Sequence, residues 1–452
     1  MRWITRTAVL AVVVAGLMRH AWAAESPPGA ALAAHVDGKP IHVFSVDAML
    51  KSAPRQDRKP TAAEVLETMI ADRLLAAWAR RSFDRDELHP SSHVGFARDV
   101  AIDDQLVSTL RGLYRRELDA AVRALPGGSL EGLIVAQADL DRSRLDGIFG
   151  APSGLRLEYA LTAGQQAAAR RIELLRFKPI SGRERTLSLY DVYRRQNVQG
   201  RIEFHNRNPE FILQQARVAM AGWFVRDWAQ RRFGEQAVDD LRAAIADRED
   251  ARAAMTLFGI GHTETESRLQ ARLARQVKPA EIAAYYERHK EHFKRVERVK
   301  ARHIRVPDEA SGNEVMEAVA RGEDFGRLAM RYSIAPDRES GGDLGWIVHQ
   351  GIPDWLASLA LVQPQGQVSR PLRTPVGPHE KAEWEIVLVE QRVEGYQAPD
   401  SEAVRYAATK AIAHEKALSR FRSLRERLLR NARVEIHRQA LEEPLRFPEE
   451  RL

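Results

Sequence analysis

The hydrophobic pattern of this chain changes period at Phe293, and that change restricts its fold more than any other feature of its 452 residues. Before Phe293 the legible stretches repeat apolar residues at helical spacing. "KPTAAEVLETMIADRLLAAWARR" (59–81) puts Leu66, Ile70, Leu74 and Trp78 on one face. Thr61 and Glu64 have capping-box spacing and Pro60 precedes them, so a helix is expected to start there. "NPEFILQQARVAMAGWFVRDWAQRRFG" (208–234) reads as a second long helix. "VKPAEIAAYYERHKEHF" (277–293) reads as a third, with Ile282, Tyr285, Tyr286, His289 and Phe293 on a broad face. Between about 125 and 208 the chain breaks at "LPGGSLEG" and mixes helices with short strand candidates, among them "LRLEYAL" and "GRIEFHN".

After Phe293 "RVERVKARHIRVP" (295–307) is β-rich. "SGNEVMEAVARGEDFGRLAMRYS" gives two helices parted at Arg321–Gly322, and "IPDWLASLALV" gives a third. "GQVSRPLRTPVG" and "EWEIVLVEQRV" read as closing strands. Strand, two helices, turn, helix and two strands within about a hundred residues predict a compact α+β domain on an antiparallel sheet. Beyond Pro399 the chain returns to one long basic amphipathic helix. Its predicted stripe is Val404, Ala407, Ala411, Leu418 and Phe421, with His414 the polar residue in that row. The stripe requires burial, and the earlier helices offer the surface for it. Within the α+β block, "RYSIAPDRESGGDLGWI" (331–347) concentrates Gly341, Gly342 and Gly345, which suits a tight turn or a close backbone approach.

Composition narrows the function classes. The formal charge is +7, and three of the arginines, Arg2, Arg6 and Arg19, fall in the first 23 residues. Elsewhere acidic residues interleave with arginine, as in "RRELDAAVRAL", which makes solvated helix faces rather than a nucleic-acid footprint. "MRWITRTAVLAVVVAGLMRHAWAAES" has a basic start, an apolar run shorter than a bilayer span, and small residues at Ala21 and Ala23. This is the pattern of a cleaved export signal ending near Ala23, with no stable membrane insertion afterwards. The sequence has no cysteine, so it offers neither a disulfide framework nor a lipidation cysteine. A periplasmic location is the expectation.

The motifs in the β-rich block carry a resemblance. "VKARHIRV", "GEDFGRLAMRYSIAPDRESGGDLGW", "GQVSRPLRTPVG" and "WEIVLVEQR", in this order, resemble a parvulin-type (PpiC-like) peptidyl-prolyl isomerase domain over about 296–395. The flanks resemble the SurA-like periplasmic chaperones and foldases, less so between about 85 and 210. The resemblance implies an α+β fold class with four parts: a signal peptide at 1–23, a mainly helical chaperone-like region at 30–293, an inserted parvulin-like domain at 296–395, and a C-terminal helix at 396–452 that completes the helical region. It also implies a shallow groove for the substrate proline, walled by the glycine turn. His303 matches the first of the family's paired histidines, Leu344 the apolar residue under the proline ring, and Thr374 the hydroxyl residue between the histidines. Ile352 and Leu356 fall where the family has methionine and phenylalanine, with Trp355 adjacent.

Two departures stand out. The family's Cys or Asp position falls on Ala335, and the second histidine's position falls on Glu385, after Trp384. His379, in the insertion "PHEKAE", is a histidine that could substitute for it in space, with little support from the spacing. A Glu facing His303 would hold an imidazolium. Prolyl isomerisation breaks no covalent bond. Its barrier of about 18–20 kcal/mol reflects lost amide resonance, so an apolar groove that favours the twisted form suffices and no metal or cofactor is implied. His289 and His292 have a helical spacing that suits a metal, but beside Lys290 and Glu291 they read as a solvated face. His89 and His93 sit at a loop-like break. Met220, Trp223 and Trp228 recur at helical spacing and read first as core. The expected function is a periplasmic isomerase and chaperone acting on unfolded clients with X-Pro segments. The alternatives are a non-catalytic holdase and a dedicated export or assembly accessory.

Overall fold

The computed structural model describes residues 29–439 except 54–57, 91–94, 151–158, 262–266, 350 and 378–379, so the export signal, His93 and His379 lie outside the described residues. The strands are β1 (Leu32–Val36), β2 (Lys39–His42), β3 (Ile134–Gln137), β4 (Glu173–Phe177), β5 (Arg185–Ser188), β6 (Lys294–Val306), β7 (Asp343–Val348), β8 (Leu372–Arg373), β9 (Trp384–Tyr396) and β10 (Val434–Ile436). Two three-stranded sheets run in the orders β10-β1-β2 and β3-β4-β5, and a four-stranded sheet runs β7-β6-β9-β8. Every ladder between them is antiparallel. The chain forms two compact units, one from residues up to Leu257 together with Phe421 onward, the other from Phe258 to Arg420.

The first unit is mainly helical. Thr61 caps the helix Ala62–Ser82 with the full reciprocal box, its hydroxyl accepting from the Glu64 N–H while the Glu64 carboxylate accepts from the Thr61 N–H. Leu66, Ile70 and Leu74 are buried in one continuous core with residues of helix Pro209–Phe233, including Met220, while Trp223 and Trp228 pack at its margin. Met220 is therefore core, as its spacing suggests, and the two tryptophans are half-buried against it. Phe44 stacks on Phe233 with ring centroids 4.4 Å apart.

Helix Glu235–Leu257 carries three buried aspartates, Asp240, Asp247 and Asp250. Arg73 reaches Asp240 at 2.7 Å and Asp247 at 3.2 Å, and Arg80 reaches Asp250 at 2.5 Å. His89 meets Asp250 at 2.5 Å, which accounts for that histidine as an internal tie. "GRIEFHN", expected as a strand, lies largely in the helix Val198–His205, because Asn197 caps it through the Gly200 N–H.

In the second unit, β6 and β9 pair over thirteen-residue strands and make the spine of the sheet. Alternation sends Ile304, Val306 and Ile386 against helices Glu309–Ala320 and Phe325–Tyr332. Val299, Ala301, Val387 and Val389 pack with Ala360 and Leu361 of helix Trp355–Val362 on the other face. The glycine stretch, expected as a turn, ends in strand β7, because Gly345 and Trp346 find partners in Ala301 and Lys300.

The final helix runs Glu402–Asn431 and contributes to both units. Its buried row is Val404, Ala408, Ile412, Ala413, Ala417, Phe421 and Leu424, whereas Ala407 is exposed. The expected stripe therefore agrees at Val404 and Phe421 and is one position off between them, where Ala408, Ile412 and Ala417 are the buried residues and Ala411 and Leu418 are half-buried. Val404 packs with Tyr286 and Phe293, and Ala413 and Ala417 with Leu273, so the first half of this helix belongs to the second unit.

Candidate functional site

His303 sits on the central strand β6 and is almost wholly buried. Its neighbour across the ladder is Val387, but β9 also supplies Glu385, two residues earlier on the same face. The Glu385 carboxylate lies 2.7 Å from His303 Nδ1 and, through its other oxygen, accepts from Arg305 Nε at 2.5 Å. Arg305 is the cross-strand partner of Glu385 and also lies 3.5 Å from Glu383. On the other side of the imidazole, Nε2 lies 3.0 and 2.9 Å from the two oxygens of Asp337.

A carboxylate cannot donate, so both ring nitrogens must carry protons for both contacts to form. Burial opposes the charged ring, but the hydrogen bond and charge of Glu385, followed by Asp337, outweigh it and raise His303 above its ordinary value. The Glu385 side chain is only 1% exposed, so its two cationic partners are what make its burial tolerable.

The backbone beside this node is shaped by glycine. The His303 N–H donates to Gly342 O at 2.8 Å. Gly342 has φ +67°, and a Cβ there would lie 2.0 Å from His303 O. No other residue fits so close an approach. The turn Pro336–Ser340 leads into it, closed by Gly341 in the left-handed region. Ser333 anchors the entry: its hydroxyl oxygen accepts from the N–H groups of Arg305 and Ala335, each at 3.2 Å.

Leu344 and Leu356 share one cluster on the sheet face covered by helix Trp355–Val362, and Trp355 opens that helix half-buried. Ile352 is 99% exposed and contributes no wall. Thr374 lies in the β8–β9 connection, where its hydroxyl oxygen accepts from the Glu383 N–H at 2.9 Å. Its hydrogen bonds, at its hydroxyl and its N–H alike, are with Glu383 and not with His303. Of the sequence-derived site residues, the structure thus joins His303 to Glu385 and Leu344 to Leu356, and leaves Ile352 in solvent.

Sequence reasoning missed Asp337 and Arg305. Asp337 looked like one more charge in a polar loop, and only the fold of the turn brings it to β6. Arg305 had a legible signal, since "HIR" on a strand puts positions 303 and 305 on the same face. His289 and His292 stack with ring centroids 5.5 Å apart, and among the described residues no group of three or more potential ligands could hold a metal ion. The geometry therefore offers a charged, fully hydrogen-bonded node beside a glycine wall and an apolar patch. With both His303 ring nitrogens bonded to carboxylates, what the arrangement offers chemically is shape and electrostatics.

Residues 277–405 match the family of PPIC-type PPIASE domains. The foldase protein PrsA of Caldanaerobacter subterraneus subsp. tengcongensis is 36% identical over 105 residues, 23% of this chain and 33% of the relative. PrsA of Geobacillus sp. (strain WCH70) is 29% identical over 172 residues, covering 38% and 57%. The chaperone SurA of Aromatoleum aromaticum is 31% identical over 145 residues, covering 28% and 32%. The chain spans between about a third and just over half of the length of these relatives. The strand order, the glycine wall and the His303 node thus fall within residues 277–405, which match the PPIC-type PPIASE domain, in a chain that is similar over part of its length to PrsA foldases and the SurA chaperone.

Proposed function

We propose that the protein is an exported, periplasmic peptidyl-prolyl cis-trans isomerase and chaperone whose substrates are unfolded segments containing X-Pro. The observation that supports this most is the groove wall. Leu344 and Leu356 supply the apolar face, and the Gly341–Gly342 turn, held on His303, fixes its edge. A proline ring bound there in the twisted state loses less solvation than the planar amide would, which lowers the barrier without covalent chemistry. His303, Glu385 and Arg305 form the polar back of the groove. Thr374 remains a proposed site residue acting through the β8–β9 connection, and Trp355 a proposed flank. The helical unit supplies the client-holding surface, and the signal at 1–23 directs export.

The test is cis/trans isomerisation of a short prolyl peptide by the full-length protein. Catalysis above the spontaneous rate, with KM raised in Leu344→Ala and Leu356→Ala, is expected. Full-length protein at the spontaneous rate refutes the isomerase reading. A second reading, a holdase with a binding-only groove, is favoured by the commitment of both His303 ring nitrogens to carboxylates. It predicts suppression of client aggregation with no rate enhancement. Intact-mass measurement of the periplasmic fraction checks export. A chain starting near Ala24 is expected, and a membrane-bound species starting at Met1 refutes it.

A further inference from the structure

Asp337 has no part in the groove as the sequence implied it, yet it makes the second of the two contacts that saturate His303. It sits in the turn Pro336–Ser340, between helix Phe325–Tyr332 and β7. The far end of that turn is held to β6 by main-chain and arginine contacts. Gly342 O accepts from the His303 N–H, and the Arg302 guanidinium donates to Ser340 O at 3.2 Å and Gly341 O at 3.1 Å. Just before the turn, Ser333 Oγ accepts from the Arg305 N–H and the Ile334 N–H donates to Arg305 O at 2.8 Å, and within the turn itself the Asp337 carboxylate on His303 Nε2 is the side-chain tie to β6. Asp337 also accepts from the Gly342 N–H through its own carbonyl at 3.1 Å. The same residue thus touches both the imidazolium and the glycine whose backbone forms the wall.

We propose that Asp337 is a positioning residue of the groove: through the His303 imidazolium it ties the Pro336–Ser340 turn to β6 and sets where the Gly341–Gly342 wall and the following Leu344 stand. Its catalytic consequence rests on the isomerase reading above, whereas its structural consequence does not.

The groups that face His303 make the charge arithmetic specific. β9 presents Glu385, and the β8–β9 connection Glu383 behind it; β6 presents Arg305, which is bonded to Glu385; the turn presents Asp337. Arg302 is turned to Glu390 at 2.6 Å and Asp343 at 3.8 Å. Helix Trp355–Val362 carries no ionisable side chain. Glu385 hydrogen-bonds to two cations, whereas Asp337 hydrogen-bonds to His303 and reaches Arg305 through its charge only. At 29% side-chain exposure it meets water, so its contact can open and close without unfolding the sheet.

The sign of the pH dependence follows. His303 has a folded value raised above its ordinary one. Its stabilising contribution is fully present below the ordinary histidine value of about 6.5 and is lost as pH rises through the raised folded value. Neutralising Asp337 withdraws one of the groups that raise it, so the loss then begins at lower pH.

The experiment uses full-length protein with ¹³Cε1-labelled histidine, the His303 resonance being assigned with His303→Gln. In the wild type the His303 signal is expected to stay in its imidazolium position above the ordinary histidine range. In Asp337→Asn it should titrate about one pH unit lower, the low end for loss of one adjacent opposite charge. Asp337→Glu should restore part of that shift. Hydrogen exchange at the His303 amide, which is bonded to Gly342 O, should speed up several-fold in Asp337→Asn relative to wild type. With a prolyl peptide, the same variant should lose about tenfold in kcat/KM, mostly through KM, because the wall moves while the imidazolium–Glu385 pair survives. An unchanged titration together with unchanged exchange in Asp337→Asn overturns the proposal. A wild type that shows no isomerase activity refutes the catalytic reading alone, and the titration and exchange then decide the role of Asp337.

Discussion

Gly342→Ala tests whether the wall is built as described. The native φ of +67° costs an L-residue about 1–2 kcal/mol in the left-handed region. The added Cβ would also fall 2.0 Å from His303 O and 3.1 Å from His303 C, both main-chain atoms of the central strand. No rotamer relieves that contact, so the turn must back away by more than an ångström. The 2.8 Å bond from the His303 N–H to Gly342 O then breaks, at about 1 kcal/mol. Together these come to about 2–3 kcal/mol.

For a unit the size of 258–420, that corresponds to about 4–12 °C in melting temperature. Gly345→Ala is the control, since Gly345 has φ +64° but nothing within 4 Å of its Cβ position, leaving only the strain of about 1–2 kcal/mol. The assay is calorimetric unfolding of the full-length variants, with fluorescence of Trp346, Trp355 and Trp384 marking the second unit. If Gly342→Ala melts together with Gly345→Ala, the close approach to His303 does not exist and the reasoning is wrong.

Three further outcomes are expected. Arg73→Ala leaves Asp240 and Asp247 buried without their shared guanidinium and should cost the first unit about 3–5 kcal/mol in denaturant unfolding; a loss below about 1 kcal/mol would show that the pair is solvated. Glu385→His, attractive from sequence because it restores the second histidine, would put a third basic group between His303 and Arg305. It should lower both stability and prolyl-peptide turnover, and higher turnover would show that the Glu385 pairing is dispensable. Replacing 294–396 by a short Gly/Ser linker should leave a folded protein that still suppresses client aggregation. The Gln397 N–H already donates to Phe293 O at 2.9 Å, so the cut ends adjoin. Loss of cooperative melting in that variant would place the folding core of the helical part inside the deleted block.

The sequence by itself determined the local grammar. Apolar spacing and the Thr61–Glu64 box located the helix Ala62–Ser82. The change of period at Phe293 announced the sheet, and the glycine cluster marked the place where backbone must approach backbone. These signals are legible because they act over a few residues, where periodicity and φ preference decide the outcome. The glycines could not say which partner they approached. His303 O, the target of Gly342, is thirty-nine positions away and is brought there by the β6–β7 register.

The tertiary structure alone decided the charges. Asp337 in a polar loop and Glu385 in a hydrophobic strand carry no signal that both belong to one imidazole. Their pairing depends on a turn docking on β6 and on the alternation of β9. In the final helix, Ala407 and Ala408 are both small and apolar, and only the packing of Val404 against Tyr286 and Phe293 chose the phase that buries Ala408. Local pattern fixes which elements form. Long-range contact fixes which face is buried and which charges meet, because the energy of a buried ion pair depends on partners distant in sequence and on the water excluded between them.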